Sequence, residues 1–221
     1  MEEITTKTID GVAIHGDFYK SAHPDHPAGL LLHMMPATKE SWSDFAQKLN
    51  VNDFHALAID FRGHGKSILK NNNKIDYHHF SDIEHQKKIN DIEASFYFLK
   101  HNGIYQNETF LAGASIGANL ILQYMSQYPE IKAGIILSPG LNYRGIEPEQ
   151  SVKKITADQS VFFIASEDDK YSAESAKKLY EIASCQKQIK ILPSGGHGTD
   201  MFIAHPELID EIINWVKNIY K

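Results

Sequence analysis

The stretch Thr109-Phe110-Leu111-Ala112-Gly113-Ala114-Ser115-Ile116-Gly117-Ala118-Asn119-Leu120 decides how this chain is read. It begins as a short apolar run and passes through small residues. Leu120, Ile121, Tyr124 and Tyr128 then follow at helical spacing. That is a strand, a tight turn and a helix start. Gly113-Ala114-Ser115-Ile116-Gly117 fits G-x-S-x-G, a pattern that holds a serine on a strained strand-to-helix turn with its hydroxyl above the sheet. Glycines two residues to either side remove Cβ atoms that would meet the neighbouring strand or helix. The helix that follows aims its first N–H groups and its positive dipole end at the serine. The N–H of Ile116 is thereby a candidate oxyanion donor.

Outward from this stretch, apolar strands alternate with amphipathic helices. Upstream, Ala28 to His33 and His55 to Asp60 are continuous apolar runs of the kind that strands buried on both faces require. Lys39 to Leu49 predicts a helix with Trp42, Phe45, Ala46 and Leu49 on one face. Asp82 to Leu99 predicts another, with Ile89, Ile92, Phe96 and Leu99 on its apolar stripe and Gly103 closing it. Ile4 to Tyr19 alternates loosely about Asp10-Gly11, the signature of a hairpin. Downstream, Ala133–Leu137, Val161–Ala165 and Ile189–Leu192 predict three further strands. A helix with Ala173, Ala176, Leu179, Tyr180 and Ile182 falls between the last two, and an amphipathic helix from Pro206 ends the chain. The alternation implies one α/β domain over residues 1–221, a doubly wound, mainly parallel sheet with helices on both faces. Ligands of such sheets lie beyond the carboxyl ends of the strands, and each motif below follows a strand.

Composition bounds the function. The 221 residues suffice for one sizeable core, and 42% hydrophobic with 23% charged residues is ordinary for a globular protein. A formal charge of −6 disfavours a nucleic-acid partner. The lone Cys185 rules out an intramolecular disulfide and a thiolate metal cluster, and reads as a bystander in a reducing compartment. No run reaches the length of a membrane span, and the acidic Met1-Glu2-Glu3-Ile4-Thr5 start lacks a leader's apolar region, so a cytoplasmic location without a membrane partner is expected. His78, His79 and Asp82 read as a solvated loop rather than a metal site.

A serine nucleophile needs a base and an acid that orients it. In this sheet type the chain order is Ser, then Asp or Glu, then His. Ser166-Glu167-Asp168-Asp169 follows the strand ending at Ala165, and Gly195-Gly196-His197-Gly198 follows the strand ending at Leu192. Ser115, Asp169 and His197 are therefore the candidate triad. Asp168 is the alternative acid; Asp169 is preferred because Ser166 then holds the small turn position three residues ahead. The flanking glycines predict a mobile, unobstructed His197 loop. The second oxyanion donor belongs in the loop after His33, with Met35 N–H preferred and Met34 the alternative. The side chains of both suit the wall of an acyl pocket.

Taken together, His33-Met34-Met35-Pro36 ahead of Trp42, Asp60-Phe61-Arg62-Gly63-His64-Gly65-Lys66-Ser67, the serine pentapeptide, Asp168-Asp169 and Gly196-His197-Gly198 resemble the α/β-hydrolases, close to their small esterase-like members. The chain departs from the family where His33-Met34 replaces a frequent His-Gly and where Ser166 replaces a frequent glycine. The resemblance implies a carboxylesterase-like serine hydrolase with a small-molecule ester substrate and no cofactor or metal; a thioesterase or amide hydrolase using the same triad, or a ligand-binding protein that keeps the fold without catalysis, are the alternatives. It also implies that Arg62 and His64 are structural, bracing loops beneath the site. Many members carry a cap domain between the strands ending near Ser138 and starting at Val161. Here Pro139 to Gln159 has room only for a loop or one short helix, so no substantial cap and an open site are expected. Tyr143, Arg144 and Tyr171 are its rim residues, with Met34, Tyr143 and Tyr171 expected to touch substrate.

Overall fold

The computed structural model describes residues 1–220. Strands β1 (Glu2–Lys7), β2 (Val12–Tyr19), β3 (Ala28–Leu32) and β4 (His55–Ile59) are followed by a small hairpin of β5 (Leu69–Lys70) and β6 (Asn73–Lys74). Helix α1 (Ser43–Val51) lies between β3 and β4. Helices α2 (Asp82–Gln86) and α3 (Ile89–His101) lead to β7 (Thr109–Ala114) and α4 (Ile116–Met125). Strand β8 (Ala133–Leu137), helix α5 (Glu149–Val152), β9 (Ser160–Ser166), α6 (Lys170–Ile182), β10 (Gln186–Leu192), α7 (Asp200–Ala204) and α8 (Glu207–Ile219) complete the chain.

The strands form one ten-stranded sheet in the order β10-β9-β8-β7-β3-β4-β2-β5-β6, with β1 on β2. The run from β10 to β4 is parallel, whereas β2 pairs antiparallel with β4 and with β1. The chain winds outward from β3 to β4 and then returns to place β7 on the other side of β3. The strand order thus reverses between β3 and β7, and that is where a doubly wound sheet opens a crevice at its carboxyl edge. Leu32 pairs with Gly113 there, so the Met34–Met35 loop and Ser115 emerge side by side.

The apolar runs are buried on both faces as parallel strands require: β3, β4, β7 and β8 are buried throughout. One core layer joins the sheet to Ile92, Phe96, Leu120, Ile121 and Leu179 of α3, α4 and α6. The other joins it to Phe45, Leu49, Leu208, Ile212 and Val216 of α1 and α8.

Two helices differ from their expected extents. The helix expected over Asp82–Leu99 is two, because Ser81 and Glu84 form a capping box that starts α2 in a different phase. Tight turns close it, with Lys88 N–H on His85 O at 3.1 Å and Asp91 N–H on Lys88 O at 3.0 Å. This turns Lys88 and Asp91 inward and leaves Ile83 exposed. Lys39–Trp42 is a 3₁₀ turn, and α1 starts only at Ser43, although Trp42, Phe45, Ala46 and Leu49 are buried as expected. The segment Pro139–Gln159 carries only the one-turn α5.

Candidate active site

Ser115 lies between the end of β7 and the start of α4 with φ 56° and ψ −116°, a conformation few residues other than glycine adopt. Its N–H donates to Leu137 O (2.9 Å) and its C=O accepts from Asn119 N–H (3.2 Å), so both neighbouring elements hold the strained turn. The glycines follow from close approach. A Cβ on Gly113 would lie 2.6 Å from the Gly117 backbone, and one on Gly117 would lie 2.5 Å from Leu32 O. Ile116 opens α4, so its N–H is among the first-turn donors that have no partner within the helix.

On the neighbouring strands, β9 ends in Ser166 and β10 in Leu192. Asp169 caps α6, taking the Ser172 N–H on Oδ1 (3.4 Å), while its Oδ2 lies 2.6 Å from His197 Nδ1. Asp168 faces the other way and accepts the N–H groups of Gly195 (3.1 Å) and Gly196 (3.3 Å). The Ser166 hydroxyl, and then these N–H groups, hold the Asp168 carboxyl below the usual range. Of the two acids it is thus Asp169 that meets the imidazole.

The His197 loop is tethered, contrary to the mobility its glycines predict. Ser166 Oγ donates to Gly196 O (2.6 Å), Asp168 holds the two glycine N–H groups, and Gly198 N–H donates to Ser138 Oγ (2.8 Å). Ser138 is fully buried at φ 47° just past β8, and nothing in its local sequence marks it. A Cβ on Gly198 would lie 3.1 Å from Ala114 Cβ and 2.5 Å from Met34 Sδ, which brings the histidine loop, the serine strand and Met34 together. Among the described residues Ser115 Oγ makes no hydrogen bond to His197; catalytic contacts often close only around substrate.

The loop after β3 is fixed from behind by His33, which is fully buried. Its Nδ1–H donates to Met34 O (2.7 Å) and its Nε2 accepts Phe61 N–H (2.9 Å), a pattern that only the neutral ring satisfies. Burial pushes its pKa down to about 4. Met34 and Met35 are half-buried, and Met35 Sδ touches the buried Lys88 Nζ at 4.0 Å. Lys88 also meets His85 Nδ1 at 2.7 Å and lies over the Phe61 and Phe80 rings. Its charge is disfavoured by burial. Arg62 braces the turn after β4 through Asp91 (2.7 Å) and Asp10 (2.8 Å). His64 stacks on Tyr77 at 3.8 Å, with neither ring nitrogen hydrogen-bonded.

Ser115 is only 7% exposed. The Tyr143 ring stands perpendicular to that of His197 (6.4 Å between centroids), and its hydroxyl lies 3.2 Å from Ser172 Oγ. Burial raises the Tyr143 pKa, and hydrogen bonding from the Ser172 and Ser115 hydroxyls opposes that rise. Tyr171 stands behind Tyr143, 5.7 Å between rings, and is tied to Asn142. Arg144 is exposed on the far side of this turn, where Gln86 Nε2 donates to its carbonyl. Asn119, buried on α4, holds the turn through Gly140 and Ile146. Among the described residues no group of three His, Cys, Asp or Glu side chains is arranged to hold a metal ion. No described helix is long and apolar enough to cross a membrane.

A mainly parallel, doubly wound sheet with a strained serine at its switch point and helices on both faces is the α/β-hydrolase fold. The chain belongs to the serine aminopeptidase S33 family of hydrolases, whose profile matches residues 28–158. Its fold is similar to that of the Pyrococcus furiosus esterase Pf2001 (17% identity, TM-score 0.78, covering 100% of this chain and 93% of that one). It is equally similar to Est1E from Butyrivibrio proteoclasticus, solved with ferulic acid bound (17% identity, TM-score 0.79, 98% of both chains). The uncharacterized protein RP471 of Rickettsia prowazekii is 28% identical over 134 residues, 58% of this chain, and the match spans 52% of that protein's length.

Proposed function

We propose that the protein is a serine hydrolase that cleaves carboxylic esters of small or short-acyl substrates. Ser115 Oγ attacks the acyl carbon while His197 Nε2 takes its proton. The N–H groups of Ile116 and Met35 donate to the resulting oxyanion. His197 returns the proton to the alcohol oxygen as the C–O bond breaks, leaving an acyl-Ser115 ester. Water then attacks the acyl carbon, His197 accepts its proton and passes it to Ser115 Oγ, and the carboxylic acid departs. Asp169 keeps the His197 proton on Nδ1 and stabilises the imidazolium. Met34 walls the acyl side, Tyr143 covers the serine and Tyr171 supports it. The scheme uses no cofactor, metal, nucleic acid or membrane. The observation that carries it is the 2.6 Å Asp169–His197 contact on the loop that packs against the strained Ser115 turn.

The test is intact-mass analysis after exposure to a fluorophosphonate, followed by turnover of small esters, thioesters and aminoacyl amides. The amides are included because the matched family is described as serine aminopeptidases. One adduct on the wild type and none on Ser115→Ala is expected, with ester turnover falling on the order of a million-fold in the variant. A folded wild type that takes no adduct overturns the proposal. Turnover of thioesters or amides alone overturns its ester part.

A further inference from the structure

The turn that carries Tyr143 is built as a fixed object. Tyr143 and Ile146 form a backbone bridge, with N–H to O distances of 3.3 and 3.0 Å. Asn142 Oδ1 accepts Gly145 N–H (2.9 Å), and the Asn142 N–H donates to Tyr171 Oη (3.0 Å). Asn119 donates to Gly140 O and Ile146 O (2.9 Å each) and accepts Gly140 N–H (3.1 Å), so both ends of the turn are riveted to the helix that follows Ser115. The ring is seated on a glycine, since a Cβ at Gly140 would lie 2.6 Å from Tyr143 Cε2 and 2.9 Å from Tyr171 Cε1. Ser172, which receives the phenol, is itself buried in the first turn of α6, the turn that Asp169 caps.

The position matters as much as the rigidity. The ring stands perpendicular to that of His197, 6.4 Å away, and the Ser115 hydroxyl acts on its phenol, so Tyr143 lies beside both base and nucleophile, along the line between them. The alcohol of an ester leaves along that line, because it must take its proton from the imidazole. In the proposed reaction the acyl group stays bonded to Ser115 Oγ and receives no proton from the imidazole, so it points away from that line.

We infer that Tyr143 is a fixed ceiling over the leaving-group subsite and sets the size of the alcohol, not of the acyl group, that this enzyme accepts. The inference rests on the proposed ester hydrolysis. Bulky alcohols meet the phenol edge before their carbonyl reaches Ser115, whereas acetyl-Ser115, once formed, is the same intermediate whatever the alcohol was.

The experiment compares wild type, Tyr143→Ala and Tyr143→Phe on two series: acetates of ethyl, benzyl and 1-naphthylmethyl alcohol, and ethyl esters from acetate to octanoate. Fluorophosphonate labelling of each protein comes first. Labelling of the wild type and of Tyr143→Ala shows that Ser115 still reacts, which separates the ceiling from the ester reading. In Tyr143→Ala, kcat/KM for 1-naphthylmethyl acetate relative to ethyl acetate should rise at least about tenfold, the scale of a changed apolar pocket wall. The ratios of kcat/KM along the acyl series should keep their order and shape, and Tyr143→Phe should keep the wild-type alcohol limit. An unchanged alcohol ratio in a labelled Tyr143→Ala overturns the inference, as does a shift in acyl preference instead. If Tyr143→Ala fails to fold by circular dichroism, Tyr143→Leu, which still lacks the phenol edge, is read by the same criteria.

Discussion

Acidifying the protein to pH 5.5 should cost it much of its stability through three histidines around the loop after β3. His33, His64 and His85 are 0%, 2% and 1% exposed. Burial pushes their pKa values down to about 4, about 2 and about 4 respectively. Lys88 adds to this for all three, and Arg144 for His85, while Asp82 and Glu84 oppose it at His85. In the unfolded chain each titrates near 6.5, so between pH 6.5 and 4 the unfolded state binds protons that the folded state refuses. The unfolded state thus gains as pH falls, and stability is full above the unfolded pKa and declines below it. At pH 5.5 the difference is RT ln 11, about 1.4 kcal/mol for each histidine and about 4 kcal/mol together, against a total of about 5–15 kcal/mol for a domain. His55, lowered by burial as well, adds in the same direction. Urea unfolding followed by circular dichroism at pH 7.5, 6.5 and 5.5 measures this as a falling midpoint at constant slope. His64→Phe keeps the stack on Tyr77 and removes the ring with no hydrogen-bonded nitrogen, so it should remove about a third of the pH dependence. Equal stability at pH 7.5 and 5.5, or a His64→Phe variant with the full dependence, would refute the reasoning.

Other perturbations test the site and its frame. Asp169→Asn should lower ester kcat by about 10⁴-fold, as loss of the orienting acid does in a Ser-His-Asp triad. Asp168→Asn, which loosens only the Gly195 and Gly196 N–H groups, should leave kcat within a small factor; steady-state kinetics on a small activated ester distinguishes the two. Gly117→Ala forces a methyl to within 2.5 Å of Leu32 O and should destabilise by about 1–3 kcal/mol, read as a lower urea midpoint. Asn119→Ala leaves Gly140 N–H and two buried carbonyls without their partner. It should cost about 2–4 kcal/mol and speed amide exchange at Gly140.

Much of this fold is legible because its signals are short-range. Apolar runs of five or six residues and stripes at helical spacing depend only on neighbours along the chain, so β3, β4, β7, β8, α4 and α8 fall where the pattern puts them. The glycines of the serine turn are legible for the same reason, since the atoms their Cβ would meet belong to the adjacent helix turn and the paired strand. The break between α2 and α3 was hidden. No glycine or proline interrupts the chain from Asp82 to Leu99, and only the burial of Lys88 and Asp91 requires the kink. The tethering of the His197 loop was hidden too, because Ser166 and Ser138 look like ordinary small residues at strand ends until Gly196 and Gly198 arrive beside them.

By itself the sequence determined the strand–serine–helix turn, the order of Ser115, the Asp168-Asp169 pair and His197 along the chain, and the alternation that winds a parallel sheet. Each of these is written in local spacing. The sequence favoured Asp169 through the place of Ser166, and tertiary structure is what turns Asp169, not Asp168, onto His197. The two acids are adjacent and chemically identical, and only the direction in which α6 leaves β9 turns one toward a residue 28 positions away. It also brought Tyr143 against His197, because that depends on Asn119 and Tyr171 gripping a turn 20 to 30 residues distant in sequence. Contacts of that span are set by how the layers pack, and no periodicity within one segment encodes them.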